Sequence, residues 1–442
     1  MAQVLMLCHD QHLDRRVVAQ AVTLIEQGHS VRLLALSYNG DTTDETTQEG
    51  FQLTRIGLND IVPENPTYNG YMSRQYKLND LLNWGANRYP KRLGVFQRTF
   101  NFGSKLNWAL YKFLLLARYR NRSLHDPLPF RQAFVKHGLP HTADVVQVHD
   151  LPALEAGAEL ANAWGVPLVY DAHELYPEQK SFSAIQRQIC SMAEATQIKK
   201  ADLVFAVNES IGEEMSRRYG ITKPVTLLNA IDPPAEFDPE ARYDLLREKL
   251  GLSAERRILL FQGGFAPYRN LESLVEAMAH VKTPDVDLVM MGFGAFGDLL
   301  KLKAGKLNLM GNRIHFLPAV PQSELLQHSA SADIGIIPYP HVDLNSYFCT
   351  PNKLFEFIQA GLPILANDSP ELNRFVKLNG FGCSAKMKSS KDIARSIDAA
   401  FSQNALPQWR SAIRLRRGEL AWSGQGSIYG QAMQSLLLKR SA

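Results

Sequence analysis

At 442 residues the chain is longer than one ordinary hydrophobic core serves, and length alone favours two or three domains. Apolar residues make up 45% and charged residues 21%, the balance of a soluble globular protein, which excludes a disordered chain, and no stretch of about 18 unbroken apolar residues marks a membrane span. The four cysteines (Cys8, Cys190, Cys349, Cys383) are scattered, which speaks against a disulfide framework or a zinc site and suits a reducing compartment.

The N-terminus enters an apolar run with neither a basic region nor a small-residue cleavage site, so no signal peptide is expected and the expected location is cytoplasmic. VLMLC (4–8) reads as a strand. RRVVAQAVTLIEQ (15–27) has apolar residues at helical spacing and stops at Gly28, and VRLLAL (31–36) is a second strand. The same grammar recurs at DVVQV (144–148), a helix over 152–164 and VPLVYDA (166–172), then at ADLVFAV (201–207), a helix and VTLLN (225–229). A Pro- and acid-rich stretch, DPPAEFDPEARYD (232–244), opens an expected linker over 232–256. The pattern then restarts: RILLFQGG (257–264), helix 271–281, VDLVMMG (286–292), a helix, RIHFL (313–317), helix 322–331, ADIGIIPY (332–339), helix 352–360 and LPILAND (362–368).

Continuous apolar strands alternating with helices mean parallel sheets covered on both faces. The expected domains are therefore 1–231, with an insertion at about 60–135, and 257–404, both Rossmann-like. A helical tail over 405–442 is expected to return to the first domain.

The net charge of +4 is unevenly spread. Residues 91–122 carry eight Lys/Arg, no acid and seven aromatics, and the rest of the chain is net negative. This segment suits a peripheral surface lying on anionic lipid at the inner face of a membrane. It equally suits a helical excursion whose aromatics pack on the first domain. Nucleic acid is a third and disfavoured reading.

Open α/β sheets bind ligands at the carboxyl ends of their strands, so function is sought in the residues that follow strands. Gly292-Phe-Gly294-Ala-Phe-Gly297 matches the dinucleotide fingerprint, but the acidic residue expected after the next strand is missing (HFLPAVP, 315–321), which argues against NAD chemistry. Gly263-Gly264 with Arg269 near the next helix start suits a diphosphate. In TPNKLFEFIQAGLPILAND (350–368), Lys353 sits in the first turn of a helix, where a cation opposes the dipole and calls for an anion nearby. Glu356 lies three residues on, able to meet a ribose diol or to pair with Lys353. Asp171, His173 and Glu174 follow a strand together. Asp285-Val-Asp287 precedes its strand and is expected to face solvent rather than a metal.

In this order, DRRV (14–17), HDLPAL (149–154), YDAHELYPE (170–178), QGGFAPYRNLE (262–272), MGFG (291–294) and PNKLFEFIQAGLPI (351–364) resemble a large family of retaining glycosyltransferases that includes bacterial sugar and mannosyl transferases. The resemblance implies the GT-B fold: α/β, two facing Rossmann-like doubly wound domains with a central cleft. It implies transfer of a sugar from a nucleotide-sugar donor of UDP or GDP type to a glycan or lipid-linked acceptor, in envelope or capsule polysaccharide assembly, with no metal and no cofactor. Catalytic roles fall on His173, Arg269 and Lys353, and donor binding on Gly263, Gly264, Arg269, Gly292, Gly294, Asn352, Lys353, Leu354 and Glu356. Asp14, Arg15, His149, Asp150, Asp171 and Glu174 fall on the acceptor side.

Two positions depart from the family pattern: Phe348 stands where its first paired Glu would be, and Gly264 where its phosphate-loop Arg would be. Lys353 is expected to supply the missing charge. A sugar-nucleotide epimerase or hydrolase on the same fold, and a non-catalytic nucleotide-sugar-binding protein, are the alternatives.

Overall fold

A computed structural model describes residues 1–37, 39–61, 66–89, 92–120, 130–402 and 404–441. The chain divides into two units, one of Met1–Ala206, Gly212–Val225 and Gly430–Ala442, the other of Val207–Ile211 and Thr226–Tyr429.

The first sheet is made of β1 (Gln3–Cys8), β2 (Ser30–Leu36), β3 (Thr43–Thr46), β4 (Gln52–Ile56), β5 (Val145–His149), β6 (Leu168–Ala172), β7 (Leu203–Ala206) and β8 (Val225–Thr226), in the order β3-β4-β2-β1-β5-β6-β7-β8. Setting aside the antiparallel edge strand β3, the order from β4 to β7 is the 3-2-1-4-5-6 of a dinucleotide-binding fold. β5 and β6 are buried at every residue, which is why apolar residues point to both of their faces, and their polar residues Gln147, His149 and Asp171 are buried with them. The helix Arg15–Glu26 starts where Asp14 accepts a hydrogen bond from the Arg16 amide.

The second unit repeats the plan with β9 (Arg257–Gln262), β10 (Val286–Gly292), β11 (Ile314–Pro318), β12 (Ile334–Ile337), β13 (Ile364–Asn367) and β14 (Gly382–Ala385), all parallel, in the order β11-β10-β9-β12-β13-β14. β3, β4 and β14 are additions to the strands read from sequence.

The stretch 232–256, expected to be a linker, belongs to the second unit. Phe237 and Leu246 are buried in its core, and the Phe237 and Tyr243 rings stack at 5.5 Å. Burying these apolar side chains fixes the segment despite its prolines and acids. The tail also differs from expectation: residues up to Tyr429 group with the second unit and only Gly430–Ala442 with the first.

Two long helices, Pro66–Arg88 and Leu93–Arg120, form most of the insertion. They pack through Tyr71 against Trp108 and Tyr111, through the Arg74 side chain donating to Asn107 (2.7 Å), and through Gly103, which admits Leu78. Lys91 and residues 121–122 of the basic segment lie outside the described residues.

Candidate functional sites in the two units

In the first unit the switch point of the sheet falls between β1 and β5, and register places Cys8 beside His149 and His149 beside Asp171. Asp171 is fully buried. Arg16, equally buried, donates to both its oxygens (2.5 and 2.9 Å), and Gln20 donates to Oδ2 (2.6 Å). Arg16 and Gln20 stand one helical turn apart, on the inward face of their helix with Val17, Ala21 and Leu24.

Two histidines complete the group: His173 Nε2 lies 3.2 Å from Asp171 Oδ2, and His149 Nδ1 lies 3.2 Å from His173 Nε2. The backbone N–H of His173 donates to Asp150 (2.8 Å). Asp150 itself has φ 59° and ψ 167°, a conformation that strains any residue but glycine, held by its N–H donating to the Asp171 carbonyl (3.0 Å).

The charges follow from these contacts. Burial works against a charged His173, but the facing Asp150 and Asp171 carboxylates overcome it and raise its pKa to about 9. Burial lowers that of His149, which stays neutral. Asp171 is held well below the usual carboxylate range although burial opposes this, because Arg16 and His173 face it. Burial raises the pKa of Asp150. Glu174 accepts from Gln179 (2.6 Å).

His149, Asp171 and His173 are also the one group among the described residues whose ligand atoms converge closely enough for a metal ion. The donor set does not fit one. Asp171 already accepts from Arg16 and Gln20, so its oxygens are committed to those partners.

In the second unit the loops after β9 and β10 cross closely. A Cβ on Gly292 would stand 2.0 Å from the Gly263 carbonyl, and one on Gly294 2.5 Å from that of Phe265. Gly263 and Gly294 have φ of 114° and 121°. Only glycine serves at these places.

Beneath the loop lies Lys353, in the first turn of the helix Asn352–Gln359. It is 5% exposed, and its ammonium sits 3.6 Å from the Phe261 ring centroid and 4.9 Å from that of Tyr339. Among the described residues it has no hydrogen-bond partner. Burial, with Arg269 adding repulsion, draws its pKa well below the ordinary 10.5. Arg269 donates to the Gly264 carbonyl (2.8 Å) and also lies over Tyr339. Glu356 accepts from Gln262 (2.6 Å), whose own carbonyl oxygen accepts from Ser329 (2.6 Å). Asn352 accepts from Asn229 (2.7 Å). The unit thus holds two cations beside a glycine loop at the carboxyl ends of its strands, and among the described residues none makes a hydrogen bond to the Lys353 ammonium.

Residues 13–229 match the family model described as glycosyl transferase 4-like domain, and residues 243–414 match glycosyl transferases group 1. The chain belongs to this glycosyltransferase family. A D-inositol 3-phosphate glycosyltransferase of Xylanimonas cellulosilytica is 27% identical over 214 residues, 44% of this chain and 50% of that one. The chain therefore spans half the length of this curated relative. Sucrose-phosphate synthase of Thermosynechococcus elongatus superposes with a TM-score of 0.68 at 17% identity, over 99% of this chain and 100% of that one. Anabaena HepE, in complex with UDP and glucose, does so with a TM-score of 0.62 at 15% identity, over 98% and 100%. These likenesses show the fold, and two Rossmann-like units in one chain are the GT-B architecture.

Against the glycosyltransferase pattern, several positions sit differently from the sequence reading. Arg16, not Arg15, makes the buried pair with Asp171, because the helical phase turns Arg16 inward. Leu354 is fully buried in the hydrophobic core and its amide donates to the Pro351 carbonyl (2.8 Å), so neither group faces the loop. Asp287 does not face solvent: it is fully buried and takes two hydrogen bonds from Arg256 (2.6 Å each), while Asp285 pairs with Arg257. Phe348 offers its carbonyl to Asn208 (2.8 Å). Gln20, Gln262 and Tyr339 were not singled out from sequence. The helical spacing of Gln20 from Arg16, and the places of Gln262 and Tyr339 at the carboxyl ends of strands, are the signals that could have found them.

Proposed function

We propose that the chain transfers a sugar from a nucleotide-sugar donor to a glycan or lipid-linked acceptor, with retention and without a metal. The observation that carries this reading is the buried Lys353 ammonium, which among the described residues has no hydrogen-bond partner and lies beside Arg269 at the Gly263–Gly264 loop. A diphosphate there would satisfy both cations, and they would stabilise charge as it develops on the departing group. The departing phosphate would take the acceptor's proton on the same face, so no side-chain nucleophile is assigned. Glu356, oriented by Gln262, is the acceptor group for ribose hydroxyls. His173, kept protonated, presents positive charge in the first unit. The UDP and glucose bound by HepE support a donor of the same class. Metal independence rests on the family resemblance. The place in envelope or capsule polysaccharide assembly rests on the family resemblance.

The test is binding of UDP, GDP and ADP sugars followed by turnover with Arg269→Ala. Unchanged turnover under both saturating and subsaturating donor refutes the phosphate assignment.

No helix among the described residues is long and apolar enough to cross a membrane. Contact with a lipid surface is part of the proposal and rests on the helix Leu93–Arg120. Val95, Phe102, Leu106, Leu110 and Phe113 are exposed at spacings that align them on one face, and Arg98 and Lys105 are exposed on its flank. That pattern suits a helix lying in an anionic interface. Flotation with acidic liposomes and its absence with neutral ones is the expected result; no flotation with either defeats it.

A further inference from the structure

At the amino ends of β9, β12 and β13, the opposite edge of the second unit's sheet from the Gly263–Gly264 loop, lies a cavity of about 560 Å³. Its volume is that of a small-molecule site. Six arginines line it against three carboxylates, so its charge is positive.

The pairing within the wall leaves two of these arginines over. Arg247 is taken by Asp244 (2.7 Å) and Asp333 (2.5 Å), and Arg414 and Arg417 share Glu240 (2.7 and 3.0 Å). Arg257 binds Asp285 (2.6 Å). Among the described residues, neither Arg242 nor Arg410 has an ion-pair partner. Arg242 is exposed at the rim, and Arg410 is half-buried and donates to the Ala332 carbonyl (2.9 Å).

The helix Leu406–Arg416 brings Pro407, Arg410, Ser411 and Arg414 to the cavity at helical spacing, so the positive face is built by one rigid element. Burial draws the pKa of Arg410 down, with the Asp333 carboxylate opposing and the nearby Arg247 guanidinium adding to it. A guanidinium withdrawn from water with only a carbonyl as partner gains from an incoming oxyanion, and its planar fork matches a phosphate with two hydrogen bonds.

We propose that this cavity binds a phosphorylated small molecule, with its phosphate held by Arg410 and Arg242. The site is separate from the one assigned to the donor diphosphate: the six residues of β9, at about 3.3 Å each, put roughly 20 Å between the two edges of the sheet. The assignment does not depend on the glycosyltransferase reading, since it concerns binding and not turnover.

Calorimetry on the full chain with inorganic phosphate and with glucose 6-phosphate as probes tests it, comparing wild type with Arg242→Gln, Arg410→Gln and Arg269→Gln. Saturable binding is expected to weaken by about tenfold or more in the first two variants and to persist in the third. Arg242 is exposed, so its replacement leaves the fold intact, and glutamine at 410 keeps a donor for the Ala332 carbonyl. UDP binding by Arg242→Gln, expected to equal that of wild type, separates failure here from failure at the donor loop. No saturable heat at millimolar probe overturns the proposal, as does loss of probe binding in Arg269→Gln with the other two variants unchanged.

Discussion

Replacing Lys353 by methionine removes a buried positive charge while keeping nearly the same side-chain volume, so packing against Phe261 and Tyr339 survives. A buried polar group without a hydrogen bond costs about 1–3 kcal/mol by mutational measure, and more when charged. The two aromatic rings return about 0.5–2 kcal/mol. Lys353→Met is therefore expected to stabilise the ligand-free second unit by about 1 kcal/mol, a rise of about 2–4 °C in its melting temperature for a domain of this size. The same change removes a charge-assisted contact to the donor diphosphate and should weaken nucleotide binding by about tenfold or more.

The pH dependence has a fixed sign. The folded-state pKa of Lys353 lies below the unfolded 10.5, so the unfolded chain binds more protons across that interval and wild-type stability rises with pH. The advantage of Lys353→Met is full at low pH and closes as pH rises toward 10.5. Thermal and urea unfolding with and without UDP measure all three effects. A variant less stable than wild type, or one that binds nucleotide equally well, refutes the reasoning.

Three further outcomes are expected. Arg16→Met should destabilise the first unit by about 3 kcal/mol in urea unfolding, since it leaves the fully buried Asp171 carboxylate with only Gln20 and His173 as partners. Gly292→Ala should cost about 1–3 kcal/mol and loosen nucleotide binding, because the new methyl meets the Gly263 carbonyl and the loops must part; unchanged melting would contradict the close crossing. In a histidine NMR titration, His173 should show a midpoint near 9 that falls toward the ordinary 6.5 in Asp150→Asn. The stabilisation His173 confers is then full below pH 6.5 and lost as pH rises through 9.

Much of the fold was legible because parallel strands buried on both faces carry apolar residues without strict alternation, as β5, β6, β9 and β10 do. The short strands β3 and β14 escaped: TDET is exposed throughout, and GCSA has too little apolar character to announce a strand. Proline and acid content misled over 232–256, where a few apolar side chains decide the packing. At the sites, glycines with positive φ could be found from their place after strands. Motif membership says nothing about which way a helical residue points, and the Leu354 side chain points into the core.

The amino-acid order by itself determined two αβ-alternating halves and the loops that follow their strands, since periodicity and the position after a strand are local properties. Only the tertiary structure decided which charges are spent and which are left over. Arg16 and Asp171 are 155 residues apart and meet through sheet register, whereas Lys353 and Glu356, three residues apart, turn to different partners. Charge pairing depends on distances through space that folding sets, and sequence spacing carries that information only within a single helix.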